Sequence, residues 1–195
     1  MIEKKEETGE DIRNSVLTLI LSRRSYRGKY KPDKVPREHL KAIMEAGLAA
    51  PSGCNKQTTS LITVDDPKVL AKLLAAIDPP VAATAPAMIC VLTQRINAYR
   101  DRCYATQDYA AAIENMLLAI TALGYHSCWY EGHITDVDRI GDRLAKILNV
   151  PENYAGCHCQ GQRHHHQLLA PGGHGRLHPF LRRHRLQECK QGYSC

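Results

Sequence analysis

Residues 108–124, DYAAAIENMLLAITALG, carry the strongest structural signal in the chain. Alanine and leucine favour helices, and apolar side chains fall on most faces of a helix drawn through these residues. A helix of that kind is normally buried inside a domain rather than lying on its surface. Gly124 then supplies the residue type that most often closes a helix. We therefore predict a buried central helix over residues 108–123, with the remaining elements packed around it.

Segments with helical and strand-like patterns intermix on both sides of this helix. Apolar spacing and capping residues predict further helices over 12–22, from Pro36 to before Pro51, over 67–77 and after the Thr135–Asp138 capping box. Short apolar runs and turn residues predict strands over 60–64, over 87–92 and within 125–132. This intermixing predicts an α+β or α/β core.

Length and composition favour a single globular domain. The chain has 195 residues, of which 44% are hydrophobic. The N-terminal stretch MIEKKEETGED is densely charged, and the sequence holds no uncharged apolar run long enough for a membrane span, so we expect neither export nor membrane insertion. The eight cysteines are expected to be reduced thiols in the cytoplasm rather than a disulfide framework.

The formal net charge of +6 belongs mainly to the C-terminal part of the chain. Residues 1–150 carry 20 Lys and Arg against 18 Asp and Glu, whereas residues 151–195 carry 6 against 2. The body therefore lacks the strongly basic charge of a nucleic-acid-binding domain, and we expect no nucleic-acid partner.

Residues 22–30, SRRSYRGKY, are called the arginine segment here. Because side chains alternate along an extended chain, Arg23, Ser25 and Arg27 can point the same way. Two guanidinium forks and a hydroxyl suit a phosphomonoester, whose oxygens accept bidentate hydrogen bonds. The alternative is a solvated basic face, which is the role we expect for Lys29 and Lys31.

Residues 51–57, PSGCNKQ, are called the amide loop. Ser52, Asn55 and Gln57 offer side-chain donors and acceptors, and Gly53 allows a close approach of the backbone. Such groups suit a planar heterocycle with amide edges, although the same residues also make ordinary helix-terminating turns. The sequence offers no convincing Ser/His/Asp or Cys/His arrangement, no GxGxxG and no GxxxxGK[ST], so a Rossmann domain or a P-loop is not supported.

Four segments, taken in order and spacing, resemble those of the FMN-dependent nitroreductase family: SRRSYRGKY, AAPSGCNKQ, AAIENMLLAITALG and SCWYEG. The last of them, residues 127–132, is called the tryptophan segment. The resemblance covers residues 10–154. It implies an α+β fold in which helices wrap a central mixed sheet, and an intertwined homodimer with two FMN sites at the interface. The central helix, which carries Asn115, would form much of the dimer contact.

The resemblance also implies which residues bind the cofactor. The FMN phosphate and ribityl chain would be held by Arg23, Arg24, Ser25 and Arg27, two of which, Arg23 and Arg27, would also reach the pyrimidine side. The residues reaching the isoalloxazine from the partner chain would be Pro51, Ser52, Gly53, Asn55 and Gln57. The other side of the ring would be lined by Trp129, Tyr130, Glu131 and Gly132, with backbone N–H groups near flavin N5. No protein side chain would act as a catalytic nucleophile, and no metal is implied.

The activity implied is that of an FMN-dependent NAD(P)H oxidoreductase with ping-pong kinetics. NADH or NADPH would reduce FMN, and a nitroaromatic, a quinone or a similar electron-poor acceptor would then occupy the same cleft. Residues 94–107 are the expected place of acceptor choice. Two alternatives stay open: a flavin-consuming or dehalogenating relative in the same superfamily, and a non-catalytic flavin- or metal-binding protein.

The chain changes character after its family-like part. We predict a nitroreductase-like FMN-binding domain over residues 1–154 and an atypical C-terminal tail over residues 155–195. From residue 151 onward there is no Val, Ile, Met, Thr or Asp, yet this stretch holds seven of the ten histidines and four of the eight cysteines. The Cys and His spacing matches no common zinc pattern. Our hypothesis is a reading-frame change near codon 155, and translation of the other two frames tests it.

Overall fold

The computed structural model describes residues 9–78, 83–131, 140–151 and 168–169. In chain order, the elements of these ranges are α1 (Gly9–Ser22), α2 (Arg37–Leu48), β1 (Thr59–Val64), α3 (Pro67–Ile77), β2 (Met88–Thr93), α4 (Ala105–Ala122), α5 (Ile140–Ile147) and β3 (Leu168–Leu169). A short 3₁₀ turn, Gly53–Asn55, lies inside the amide loop. The α+β composition expected from the sequence is confirmed.

Local chemistry explains where the helices begin and end. Pro36 precedes α2 with its φ near that of a helix, and the Asp66 side chain caps α3 by accepting hydrogen bonds from the N–H groups of Lys68 and Val69. Gly124 follows α4 at φ +80°, a conformation that favours glycine. The central helix begins at residue 105 rather than 108, and no side-chain cap on Tyr104 marks that start.

The three strands form one sheet in the order β1-β2-β3. The strand β2 pairs antiparallel with both neighbours, in registers that set Thr59 opposite Thr93 and Cys90 opposite Leu168. A parallel contact occurs away from these ladders, as an isolated bridge between Ser25 and Ser127.

Helices cover both faces of the sheet. On one face, the alternate strand residues Ile62, Val64, Met88, Cys90 and Leu92 pack against α3 and α5. On the other face, Leu61, Ile89 and Val91 pack against α2 and α4. Because both faces are buried, β2 is an almost continuous apolar run instead of an alternating one. The prediction of a buried central helix is confirmed, since Ile113, Met116 and Ile120 of α4 are all fully buried.

The polar residue in the middle of this buried helix is satisfied within the chain. Asn115 donates its side-chain amide to the Ala46 carbonyl of α2 at 3.1 Å. Asn115 is half-buried, and this bond joins α4 to α2.

Some expectations need correction or lie beyond the described residues. Within the described part of 125–132, the predicted strand is present as single-residue bridges at Ser127 and Tyr130, and the one at Ser127 pairs with Ser25 of the arginine segment. Leu168 and Leu169 pair with β2, although their segment contains no β-branched residue. The rest of residues 155–195 and the Thr135–Asp138 capping box lie outside the described residues. None of the helices in the described ranges is both long and apolar enough to cross a lipid bilayer.

Candidate functional site

The arginine segment and the tryptophan segment lie side by side. Ser25 and Ser127 form the parallel bridge, and the Tyr26 N–H donates to the Ser127 carbonyl at 2.9 Å. The Tyr26 ring also stacks on His126, with ring centroids 5.3 Å apart. Two segments separated by about a hundred residues of sequence therefore meet at one place.

The three arginines of this segment have different partners. The Arg23 Nε lies 3.6 Å from a carboxylate oxygen of Glu114 on α4. Arg24 turns back and donates to the carbonyls of Leu21 and Arg23, which closes the end of α1. Arg27 is exposed and makes a long hydrogen bond, 3.5 Å, to the Ser25 carbonyl. Arg23 and Arg27 therefore keep most of their donor groups for a ligand.

Arg27 also lies close to the tryptophan segment. Burial raises the pKa of the Cys128 thiol, and the nearby Arg27 guanidinium lowers it in part. The thiol donates weakly to the Trp129 carbonyl and is 4% exposed, so it fills space as a small apolar group.

The amide loop holds an unusual backbone conformation. Cys54, Asn55 and Gln57 all adopt positive φ, at 49°, 52° and 51°. Residues with a Cβ seldom adopt such angles, so surrounding contacts must hold the loop in place. Inside the loop, the Ser52 hydroxyl accepts from the Gln57 N–H at 2.9 Å, and the Gln57 side chain donates to Asn55 at 3.2 Å.

Asp108, in the first turns of α4, holds the loop from outside. One carboxylate oxygen accepts from the Gly53 N–H and the other from the Thr58 hydroxyl, each at 2.7 Å. Thr58 directly follows the loop, and its hydroxyl makes the second of these two bonds. Gly53 also lies against Tyr104, because a Cβ at that position would come within 2.6 Å of the Tyr104 ring. The absence of a side chain is therefore required there.

A cleft of about 320 Å³ opens beside the amide loop. Its polar lining residues are Ser52, Lys56, Gln57, Thr59 and Asp108, and apolar walls come from α2, α4 and Pro51. The Thr59 hydroxyl oxygen is buried and has no hydrogen-bond partner within the described ranges. The cleft thus combines apolar walls with a few polar groups, which is typical of small-molecule sites.

Glu131 of the tryptophan segment is tied to α4. The Tyr109 hydroxyl donates to a Glu131 carboxylate oxygen at 3.1 Å. Burial raises the pKa of Tyr109, the Glu131 carboxylate raises it further, and the buried Arg95 lowers it in part. Tyr109 therefore stays protonated at neutral pH and acts as a fixed donor.

Trp129 and Tyr130 are half-buried. Trp129 packs against the core between the sheet and α4, and its indole nitrogen is buried without a hydrogen-bond partner among the described residues. Tyr130 packs on the opposite core, against α3 and α5. The fourth predicted residue of this group, Gly132, lies outside the described residues.

The helix α4 is the common support of all three segments. Asp108 contacts the amide loop, Tyr109 contacts the tryptophan segment and Glu114 contacts the arginine segment. At 3.6 residues per turn, Asp108 and Glu114 point about 120° apart around the helix. The amide loop and the arginine segment therefore attach to different sides of α4 in one chain.

Sequence reasoning did not assign these three α4 residues a role. A signal was present for Asp108 and Tyr109, because acidic and phenolic side chains in a helix that is otherwise rich in Ala and Leu need partners when buried. Their partners could not be found from sequence, since each lies in a segment distant along the chain.

Comparison with known proteins gives the family. The model of the nitroreductase family matches residues 20–79 and 75–162, which is more than half of the chain. The chain belongs to the nitroreductase family. All three segments that α4 supports fall inside the matched residues.

Individual relatives agree with this family assignment. A protein of Archaeoglobus fulgidus named "Putative NADH dehydrogenase/NAD(P)H nitroreductase" is 31% identical over 139 residues, covering 70% of this chain and 78% of the relative. A crystal structure of a nitroreductase with bound FMN from Bacteroides fragilis is 27% identical, with a TM-score of 0.62, covering 93% of this chain and 99% of the other. An FMN-dependent nitroreductase from Clostridium difficile, 24% identical with a TM-score of 0.64 and coverage of 82% and 89%, shares the fold of this nitroreductase-family chain.

Proposed function

We propose that this protein binds FMN and works as an NAD(P)H oxidoreductase that reduces electron-poor acceptors, such as nitroaromatics or quinones. The observation that carries the proposal is the meeting of the arginine and tryptophan segments at Ser25 and Ser127. Membership of the nitroreductase family supports it, as does the relative from Bacteroides fragilis that holds FMN. FMN, when bound, supplies the hydride chemistry itself, because its N5 atom can accept and deliver a hydride.

The donor set fits the phosphate end of FMN. Arg23 and Arg27 offer guanidinium forks, which match phosphate oxygens in geometry and charge, and Ser25 lies between them. Arg24 closes the end of α1 with part of its fork and is left with further N–H groups for the phosphate. We propose that these four residues bind the phosphate and the ribityl chain.

The amide loop fits the planar end of FMN. The side chains of Asn55 and Gln57 can meet donors and acceptors on an isoalloxazine edge, and Pro51, Ser52 and Gly53 let the backbone approach closely. On the other side of the ring we place Trp129, Tyr130, Glu131 and, from the sequence alone, Gly132. The protein residues then orient the ring and exclude water, and the reductant and the acceptor use the same cleft in turn.

We further propose that the site is built by two copies of the chain. The arginine segment and the amide loop attach to sides of α4 that are about 120° apart, which favours a loop supplied by the partner. The helix α1 also exposes apolar side chains on one side: Val16, Leu17, Ile20 and Leu21 are 50%, 57%, 46% and 71% exposed. An apolar helix face of this size favours burial against a second copy.

The cysteines bear on where the protein works. Cys54, Cys90, Cys103 and Cys128 are free thiols. Such thiols persist in a reducing compartment, which supports our proposal that the protein acts in the cytoplasm.

Titration of the apoprotein with FMN, followed by quenching of flavin fluorescence, tests the phosphate site. Arg27→Ala should weaken FMN binding by about 2 kcal/mol, the value of a hydrogen bond to a charged group, whereas Lys29→Ala should leave it unchanged. Both variants remove one exposed cation, so net charge is matched. Equal affinities for the two variants would contradict the proposed site.

A further inference from the structure

We propose that Asp108 is a positioning residue that sets the shape of the amide loop, and that this shape gives the loop its affinity for the planar end of the cofactor. The inference rests on the proposed function. It adds to the proposed function a role for Asp108, a residue that contacts the loop rather than the cofactor.

The geometry is that of a clamp across the loop. Gly53 lies near the beginning of the loop and Thr58 directly follows its end, and each donates to a different oxygen of the same carboxylate at 2.7 Å. Asp108 is only 4% exposed, so water does not replace either donor easily. Hydrogen bonds to a charged, buried acceptor are among the strongest in proteins. One side chain therefore fixes the distance between the two ends of the loop.

The backbone between the two ends needs such a clamp. Cys54, Asn55 and Gln57 hold positive φ angles that residues with a Cβ avoid, so a released loop would relax toward more ordinary conformations. Relaxation would turn the Asn55 and Gln57 amides, which are the loop's polar groups for a planar ligand. The loop's own bonds, such as Ser52 to Gln57, join neighbours within it and do not tie it to the domain.

Asp108 is also placed to transmit the position of α4 to the loop. It follows Tyr104, whose ring lies against Gly53, and it precedes Tyr109, which holds Glu131 of the tryptophan segment. The clamp therefore connects the amide loop to the same helix that supports the other segments. If Asp108 only stabilised the core, its loss would not change the affinity of the loop for the cofactor.

A comparison of the variants Thr58→Val and Thr58→Ser tests the hydrogen bond from the Thr58 hydroxyl to Asp108. Valine has nearly the shape of threonine and lacks the hydroxyl, whereas serine keeps it, so the serine variant is the matched control. The first readout needs no cofactor: tryptic cleavage after Lys56, which is exposed in the loop, reports how often the loop opens in the apoprotein. Cleavage after the exposed Lys29 serves as an internal control in a different segment. The second readout is FMN affinity.

Loss of a hydrogen bond to a buried carboxylate should raise the open population about tenfold. We expect Thr58→Val to speed cleavage after Lys56 about tenfold, to leave cleavage after Lys29 unchanged and to weaken FMN binding about tenfold. Thr58→Ser should match the unmodified protein in all three. If Thr58→Val folds poorly, Asp108→Asn can be compared with the unmodified protein by the same measurements. We expect smaller changes in cleavage and in FMN affinity, because the Asn side-chain oxygen can still accept from the Gly53 N–H.

The other outcomes separate the two proposals. Unchanged cleavage after Lys56 overturns the positioning role, because the loop would then not open more often. A parallel rise in cleavage after Lys56 and after Lys29 also overturns it, because the opening would then not be confined to the loop. Faster cleavage at Lys56 with unchanged FMN affinity overturns the link between loop shape and cofactor binding. Failure of the unmodified protein to bind FMN overturns the proposed function, and cleavage at Lys56 still decides whether Asp108 shapes the loop.

Discussion

Replacing Glu114 with glutamine tests whether a carboxylate on α4 competes with a phosphate for Arg23. The Arg23 Nε lies 3.6 Å from Glu114, and the two side chains are 28% and 50% exposed. A bound phosphate would have to share or replace this ion pair. We therefore expect Glu114→Gln to bind FMN more tightly than the unmodified protein.

The exposure of the pair sets the size of the effect. Partly exposed ion pairs contribute about 0.2–1 kcal/mol, because water screens them. Removing the competitor should tighten FMN binding by the same amount, which corresponds to at most about a fivefold change in Kd. The free energy of unfolding should fall by less than about 1 kcal/mol for the same reason.

The assay is a fluorescence titration of apoprotein with FMN at low and at high salt. The gain in affinity should shrink at high salt, since the Debye length falls from about 10 Å at 0.1 M to about 3 Å at 1 M. Glu45→Gln is the control, because Glu45 forms a similar exposed pair with Lys41 on α2. If Glu114→Gln binds FMN no more tightly than Glu45→Gln, the reasoning about Arg23 is wrong.

Three further predictions concern other parts of the molecule. Leu21→Glu, at an exposed position on α1, should weaken the proposed dimer at least about tenfold in analytical ultracentrifugation; an unchanged dimer would exclude this face. Gly47→Ala should lower the free energy of unfolding in urea by up to about 2 kcal/mol, because overpacking costs about 1–3 kcal/mol and the helix gains about 1; the new Cβ would lie 2.7 Å from Met116, and a more stable variant would contradict this packing. At pH 8, Cys54 should react with iodoacetamide while Cys90 stays unmodified, because Cys54 is exposed and burial raises the pKa of Cys90 to about 12; peptide-resolved labelling of native Cys90 would refute its burial.

The fold was predictable wherever the signal was local. Propensity and apolar runs located α4 and the strands β1 and β2, and Asp66 marked the start of α3 by its capping chemistry. In the described residues, the strand expected within 125–132 is limited to bridges at Ser127 and Tyr130, because strand pairing depends on a partner segment that local sequence does not reveal. The start of α4 was missed by three residues because Tyr104 provides no capping side chain.

The sequence pointed to the segments of the candidate site but not to the contacts that join them. Residue chemistry pointed to Arg23, Ser25 and Arg27 and to the amide loop, and the structure brings the arginine and tryptophan segments together. The support from α4 could not be predicted, because the pairing of Asp108 with Gly53 and Thr58 joins residues about fifty positions apart. Such contacts depend on the tertiary packing of the helix against the sheet.

The most direct test of the account is an absorbance spectrum of the purified protein during anaerobic addition of NADH and, separately, NADPH. The account predicts a yellow protein with about one FMN per chain, whose flavin absorbance bleaches with at least one of the two nucleotides and returns when a quinone is added. A protein that stays colourless after incubation with FMN and desalting, or whose flavin absorbance responds to neither nucleotide, would contradict it.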